Sequence, residues 1–164
     1  MSISLENKIR VQDFLSAELR YLDDREWDKW LAMFDEEVDF WVPAWDSEYE
    51  LTTDPQAEMS LIYYSGRSGL EDRVFRLRTG ASAASTPLPR TCHMLSNVQI
   101  AEKDMGFSVT ANWVSYAFRK GESTVFFGTY HYQILDDANG MRIGRKKIVV
   151  MNDLIPTVLD IYNL

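Results

Sequence analysis

Apolar residues in the first part of the chain recur at helical spacing. Val11, Phe14, Leu15, Leu19 and Leu22 share one side of a helix, and Gln12, Asp13, Glu18 and Arg20 are its polar remainder. Asp23-Asp24 breaks that register. Asp23 followed by Glu26 has the form of a capping box opening a second helix, since a carboxylate oxygen accepts from a free N–H there. Trp27, Trp30, Leu31 and Phe34 then fall on one broad aromatic face. Asp35-Glu36-Glu37 ends that helix, and the following VDFWVP reads as a strand stopped by Pro43.

The polar run DSEYELTTDPQAE reads as a loop punctuated by Pro55, and Leu61 to Tyr64 as a short β-prone stretch. Ser65-Gly66-Arg67-Ser68-Gly69 reads as a turn. A short helix follows through Leu70, Val74, Phe75 and Leu77, with Glu71 and Asp72 in its first turn, where the helix dipole favours acids. Gly80 closes it. ASAASTPLPRT is a small-residue connection, either a mobile loop over a site or an arm against a neighbouring chain.

From His93 the period changes to two. Four long strands are predicted, at 93–103, 107–120, 123–136 and 141–153, joined by short turns as hairpins require. In the second of them Val109, Ala111, Trp113, Ser115 and Ala117 share one face, and Thr110, Asn112, Val114, Tyr116 and Phe118 the other. Both faces carry apolar groups, so the helices are expected to cover one and another subunit the other. The apolar tail LIPTVLDIYNL is expected to dock into the fold or an interface. Helices followed by a meander of long strands give an α+β class. N-terminal helices pack on a strongly curved, mainly antiparallel sheet, making a cone with one open end. At 164 residues, the whole of 1–164 is expected to be a single domain.

Charge narrows the function. A formal net charge of -8 argues against nucleic acid and against an anionic membrane surface, both of which need a basic field. The N-terminus has no apolar signal core, and no run reaches the ~20 apolar residues of a membrane span. Cys92 is the one cysteine, so no intrachain disulfide is possible and a cytoplasmic location is expected. One cysteine cannot hold an iron–sulfur cluster, and no HExxH or Cys-x-x-Cys is present, so no metal or cofactor site is expected in this chain. Nucleophile-elbow and nucleotide-binding motifs are absent too.

Two histidines, His93 and His131, lie in predicted strands. A carboxylate such as Asp23 or Asp24 would join them inside the cone as a proton-transfer pair; otherwise each is simply hydrogen-bonded in the sheet. Arg67, Arg73, Arg76, Arg78 and Arg90 cluster in mid-chain. They suit an anionic substrate, carboxylates across an interface, or a solvated surface alike. Arg142, Arg145, Lys146 and Lys147 read as guards against edge pairing. Trp27 and Trp30 read as core. Trp45, Tyr63 and Tyr64, near turns, are interface candidates together with Arg67, Arg73, Arg76, Arg90 and Tyr162.

Several stretches resemble one family nearly end to end. They are RYLDDREWDKWLAMFDEEVDFWVPAW, LTTDP, LIYYSGRSGLEDRVFRLRTG, PRTCHMLSNV, FGTYHY and KKIVVMNDLIPTVLDIYNL. Together they are similar to the small (beta) subunit of aromatic-ring-hydroxylating dioxygenases of the benzoate, toluate and anthranilate 1,2-dioxygenase type. The resemblance implies a cone fold like that of nuclear transport factor 2. It implies an oxidoreductase complex of three large and three small subunits, in which the small chain also meets copies of itself. The Rieske 2Fe-2S cluster and mononuclear iron would lie on the large subunit, and NADH would supply electrons through a separate reductase. The complex would add both atoms of O2 to an aromatic carboxylate, and the small chain would be structural. No catalytic residue carries over. A stand-alone cone-fold dehydratase or isomerase is the alternative, using Asp24, His93 and Tyr21 in the pocket.

Overall fold

The computed structural model describes residues 2–164. These form three α-helices and six strands. The helices are α1 (Leu5–Asp23), α2 (Trp27–Ala32) and α3 (Arg67–Arg78). The strands are β1 (Phe34–Pro43), β2 (Ser60–Ser65), β3 (Arg90–Lys103), β4 (Gly106–Arg119), β5 (Glu122–Asp137) and β6 (Gly140–Val150). The sheet order is β2-β1-β6-β5-β4-β3. Every pairing is antiparallel except that of β1 with β6. The helices lie against the concave face, as an α+β cone requires.

The predicted strand alternation holds on β4. Val109, Ala111, Trp113, Ser115 and Ala117 are buried, while Tyr116 and Phe118 are 48% and 41% exposed on the other face. That outer face continues through Met94, Val125 and Phe127, all exposed. Only the end of the apolar tail docks into the fold, with Ile161, Tyr162 and Leu164 buried while Leu154 and Val158 stay exposed. Arg73 of α3 pairs with the buried Asp160, whose carboxylate also caps the final turn at Ile161. Ser85 meets Tyr162 Oη at 2.9 Å.

Four local expectations are corrected. The acidic run Asp35-Glu36-Glu37 does not end a helix. The strand begins at Phe34, because Val38, Phe40 and Val42 must face the core. Asp23 does not cap α2, whose N-cap is Glu26 without a side-chain bond. The segment 65–69 is not all turn. Gly66 takes a φ of +97° and α3 starts directly after it. Gly69 then sits inside the helix, and a Cβ there would meet the Tyr64 ring at 2.7 Å. Finally, β6 is a central strand rather than an edge, so its cations do not guard against edge pairing.

Candidate functional site

The interior of the cone holds two acid–base pairs, both reached from α1. Glu18 sits three residues after Leu15 and four before Leu22, on the apolar stripe itself. It is fully buried rather than part of the polar remainder. Lys146 has the same inward parity on β6 as Ile148 and Val150, and is fully buried as well. Lys146 Nζ donates to Glu18 Oε1 at 2.8 Å, Trp30 Nε1 donates to the same oxygen at 3.0 Å, and Tyr132 Oη donates to Oε2 at 3.0 Å. The ammonium lies 4.4 Å from the Tyr130 ring centroid and 5.5 Å from that of Tyr132. Burial pulls the Lys146 ammonium below its ordinary pKa, and the Glu18 carboxylate offsets part of that. A charge pair this dry is tolerated because every carboxylate oxygen is satisfied and the cation faces π-clouds.

The second pair is Asp23 with His93. Asp23 is the last residue of α1, five residues past Glu18, which is about 7.5 Å along the helix. Its carboxylate accepts from the His93 backbone N–H at 2.9 Å and from the Thr91 hydroxyl at 2.8 Å. It also lies 2.6 Å from His93 Nδ1. Burial raises the Asp23 pKa, but these hydrogen bonds from His93 and Thr91 outweigh it and hold the carboxyl below its ordinary value. Asp23 takes the Nδ1 side of the ring, which leaves Nε2 as its free nitrogen.

Among the described residues, His93 Nε2, Ser115 Oγ, Trp113 Nε1 and Tyr130 Oη are buried without a hydrogen-bond partner. They are neighbours on the concave sheet. Ser115 stands opposite His93 across β3 and β4, and Trp113 follows on the same face of β4. Tyr130 stacks on Trp113 with ring centroids 5.1 Å apart and planes 8° off parallel. Its phenol is pushed well above its ordinary pKa, first by burial and then by Glu18 and Asp23.

A cleft of about 480 Å3 lies between the β4–β5 turn and the C-terminal segment, lined by Ala117, Arg119, Lys120, Glu122, Val158 and Tyr162 among others. Ala117 is the inward residue that follows Ser115 on β4, and its partner across the ladder is Thr91.

The other expected residues lie elsewhere. Asp24 is exposed at the end of α1, and its backbone N–H is spent on Arg20 and Leu22 carbonyls. Tyr21 is half-buried under the Lys29 ammonium. His131 points outward between Thr110 and Thr129, so the two histidines do not meet. Of the interface candidates, Trp45 is 40% exposed and donates to the Val150 carbonyl. Tyr63 accepts from Gln56, and Tyr64 packs on Phe40. Arg67 bonds Glu71 and the Phe34 carbonyl, and Arg73 is tied to Asp160. Arg76 and Arg90 are exposed, Arg90 lying over Phe118, while Tyr162 is buried.

Sequence reasoning misses the pairing of Lys146 with Glu18. Their parity with apolar neighbours is the available signal, and their charge masks it.

Rieske or mononuclear-iron ligation does not fit these residues. Among the described residues no three His, Cys, Asp or Glu side chains cluster as a metal would require. Cys92 is exposed on the outer face, while His93 beside it points inward. No described helix is long and apolar enough to cross a membrane.

Comparison with known proteins gives this helix-lined, curved-sheet cone its family. The ring hydroxylating beta subunit family matches residues 17–157, and the chain belongs to that family. It is 45% identical to the 2-halobenzoate 1,2-dioxygenase small subunit of Burkholderia cepacia, across 98% of this chain and 99% of that one. It is 43% identical to the toluate 1,2-dioxygenase subunit beta of Pseudomonas putida, across the whole of both. The crystal structure of the beta subunit of benzoate 1,2-dioxygenase from Burkholderia mallei superposes with a TM-score of 0.80. That protein is 35% identical, with 100% of this chain and 99% of that one covered. The chain is thus a component of an aromatic-ring-hydroxylating dioxygenase, an oxidoreductase.

Proposed function

We propose that this chain is the structural, non-catalytic small subunit of a Rieske non-haem iron dioxygenase that dihydroxylates an aromatic carboxylate of the benzoate or anthranilate kind. What carries the reading is end-to-end similarity to small subunits named for such substrates. The Rieske cluster and the mononuclear iron then belong to a large subunit, with NADH electrons arriving through a separate reductase. Three large and three small subunits assemble in the cytoplasm, and residues 1–164 act as one domain.

Trp45, Tyr63, Tyr64, Arg67, Arg73, Arg76, Arg90 and Tyr162 remain the interface candidates. Arg76 and Arg90 are the most available of them, and Trp45 keeps one side free. Arg73 and Tyr162 act through the segments that they brace. Arg90 borders the exposed apolar row of Tyr116, Phe118 and Phe127, which gives the outer sheet face to subunit contact.

Co-expression with the Rieske partner tests the reading. The expected outcome is an iron-free isolated chain and a complex of the hexameric mass that holds all the iron and sulfide. Stoichiometric iron on the isolated chain would overturn it.

One observation favours a second reading, a stand-alone cone-fold dehydratase or isomerase: the Asp23–His93 pair. It would use Asp23 rather than Asp24, and Tyr130 rather than Tyr21. Turnover of an aromatic substrate by the isolated chain would decide for it.

A further inference from the structure

We propose that the outer face of the sheet carries a binding site for a tetrahedral oxyanion of the sulfate or phosphate class, formed by Ser108, Thr110, His131, Gln133, Arg145 and Lys147. All six line one hollow of about 110 Å3. The strand ladder explains why they meet. Thr110 of β4 stands opposite His131 of β5, which stands opposite Lys147 of β6. Ser108, Gln133 and Arg145 stand opposite one another in the same way, two residues away on each strand. Two rows of three side chains result, on strands about 4.8 Å apart and with about 6.6 Å between the rows. An anion seated between the rows lies within hydrogen-bond reach of donors from both.

Charge sets the ligand's sign. The chain has a net charge of -8, yet no acidic residue lines this hollow. Arg145 has one carboxylate contact, Asp39 of β1 at 3.4 Å, and its Nε makes no hydrogen bond. The Lys147 ammonium lies 5.0 Å from the Trp41 ring centroid instead of on a carboxylate. Partial burial lowers the Lys147 pKa, and the Arg145 charge lowers it further. Burial lowers the His131 pKa too, followed by the charges of Lys147 and Arg145. The three basic groups therefore repel one another across a shared space, and an anion there relieves all three. Donors set its shape. Ammonium, guanidinium, amide and hydroxyl all have hydrogens to give, which suits a ligand that only accepts. The His131 ring is held loosely, by Thr110 at 3.5 Å and Thr129 at 3.3 Å, and can exchange either for the anion. Four oxygens in a tetrahedron reach both rows, whereas the two of a carboxylate leave donors unmet. The hollow falls short of the ~150 Å3 that takes a benzene ring, so a compact anion fits and an arene does not.

This site goes beyond the subunit role and is measured without a large subunit. The test uses the full-length chain carrying 15N-histidine, titrated with sulfate at an ionic strength held constant with sodium chloride. The sequence has two histidines, and His93 inside the cone is the internal control. Sulfate is expected to move the His131 resonances saturably and to leave His93 in place. It should bind about tenfold more tightly near pH 5 than near pH 8. Protonated His131 then adds a third cation to Lys147 and Arg145, against the single Asp39 carboxylate on Arg145. Lys147→Met should weaken sulfate binding by about tenfold or more. Inorganic phosphate and phenyl phosphate separate the sources. Equal binding of the two means a free anion, tighter binding of the ester means an oxyanion carried on an organic group, and either sustains the site. An unmoved His131 resonance up to about 0.1 M sulfate, where screening takes over, would overturn the proposal. So would equal binding of acetate, or unchanged binding in Lys147→Met. Should Lys147→Met fail to fold, the titrations of the unsubstituted chain still decide between these outcomes.

Discussion

Two buried acid–base pairs hang from the same helix, and the cone treats them differently. Glu18–Lys146 is closed. Each carboxylate oxygen has its donors, and the ammonium faces aromatic rings. Asp23–His93 is closed on the carboxylate side and open on the imidazole side, with three further unpartnered groups around it. The first pair does what a buried charge does when it serves the fold: it pins α1 to the central strands. The second has capacity left over. Both pairs lie almost wholly inside the cone. The satisfaction of the remaining lone pairs and protons is what separates them.

The largest expected effect comes from breaking the closed pair. Lys146→Met leaves Glu18 charged and buried, and should cost about 3–5 kcal/mol in urea unfolding. Adding Glu18→Leu should recover much of that loss. Recovery stays incomplete, because Trp30 Nε1 and Tyr132 Oη then lack an acceptor. A Lys146→Met cost below about 1 kcal/mol would remove the distinction between the pairs.

The open pair should be cheaper to break. Asp23→Asn should cost about 1–3 kcal/mol, since the amide still accepts from the backbone N–H. Its pH dependence carries a sign. The Asp23 carboxyl is held below its ordinary value in the fold, so its contribution is fully present above the unfolded pKa. That contribution is lost as pH falls through the folded value. The stability gap between the unsubstituted chain and Asp23→Asn should therefore be flat above about pH 5 and shrink below about pH 4. A gap that widens on acidification would contradict the geometry.

The smallest effect belongs to an exposed pair. Arg142 reaches both Asp137 and Asp35 at the surface. Its side-chain hydrogen bond, and that of the Asn139 backbone, bring the Asp137 carboxyl down to about 2. In Arg142→Ala an NMR titration of Asp137 should move upward toward the ordinary carboxylate range, with little change in the unfolding midpoint.

Periodicity carries most of the architecture. The four long strands, the α1 stripe and the two faces of β4 are legible because burial on one side enforces a strict repeat. The errors have a common cause. Asp35, Glu36 and Glu37 fall where the pairing of β1 with β6 is irregular, and helical spacing in the preceding aromatics hides the switch of period at Phe34. Lys146 resembles an edge guard, since nothing local shows that β6 lies between β1 and β5. The partnership of Asp23 with His93 spans 70 residues and four intervening helices and strands, α2, β1, β2 and α3, which sequence order cannot measure. Sequence order offers Asp23 and Asp24 as equals, and only the direction of the last turn of α1 separates them.

The parallel seam of β1 and β6 joins Trp41 to Lys147 and Phe34 to Ile143. More than a hundred residues therefore lie between partners at the centre of the sheet. Until β6 is in place, α1 presents Glu18 beside a row of bare leucines with no counter-charge. A fragment that stops before residue 140 has no means of closing its own core. Such long-separation pairing makes for slow folding, and it makes the half-finished chain a natural client for whatever shields exposed apolar surface in the cell.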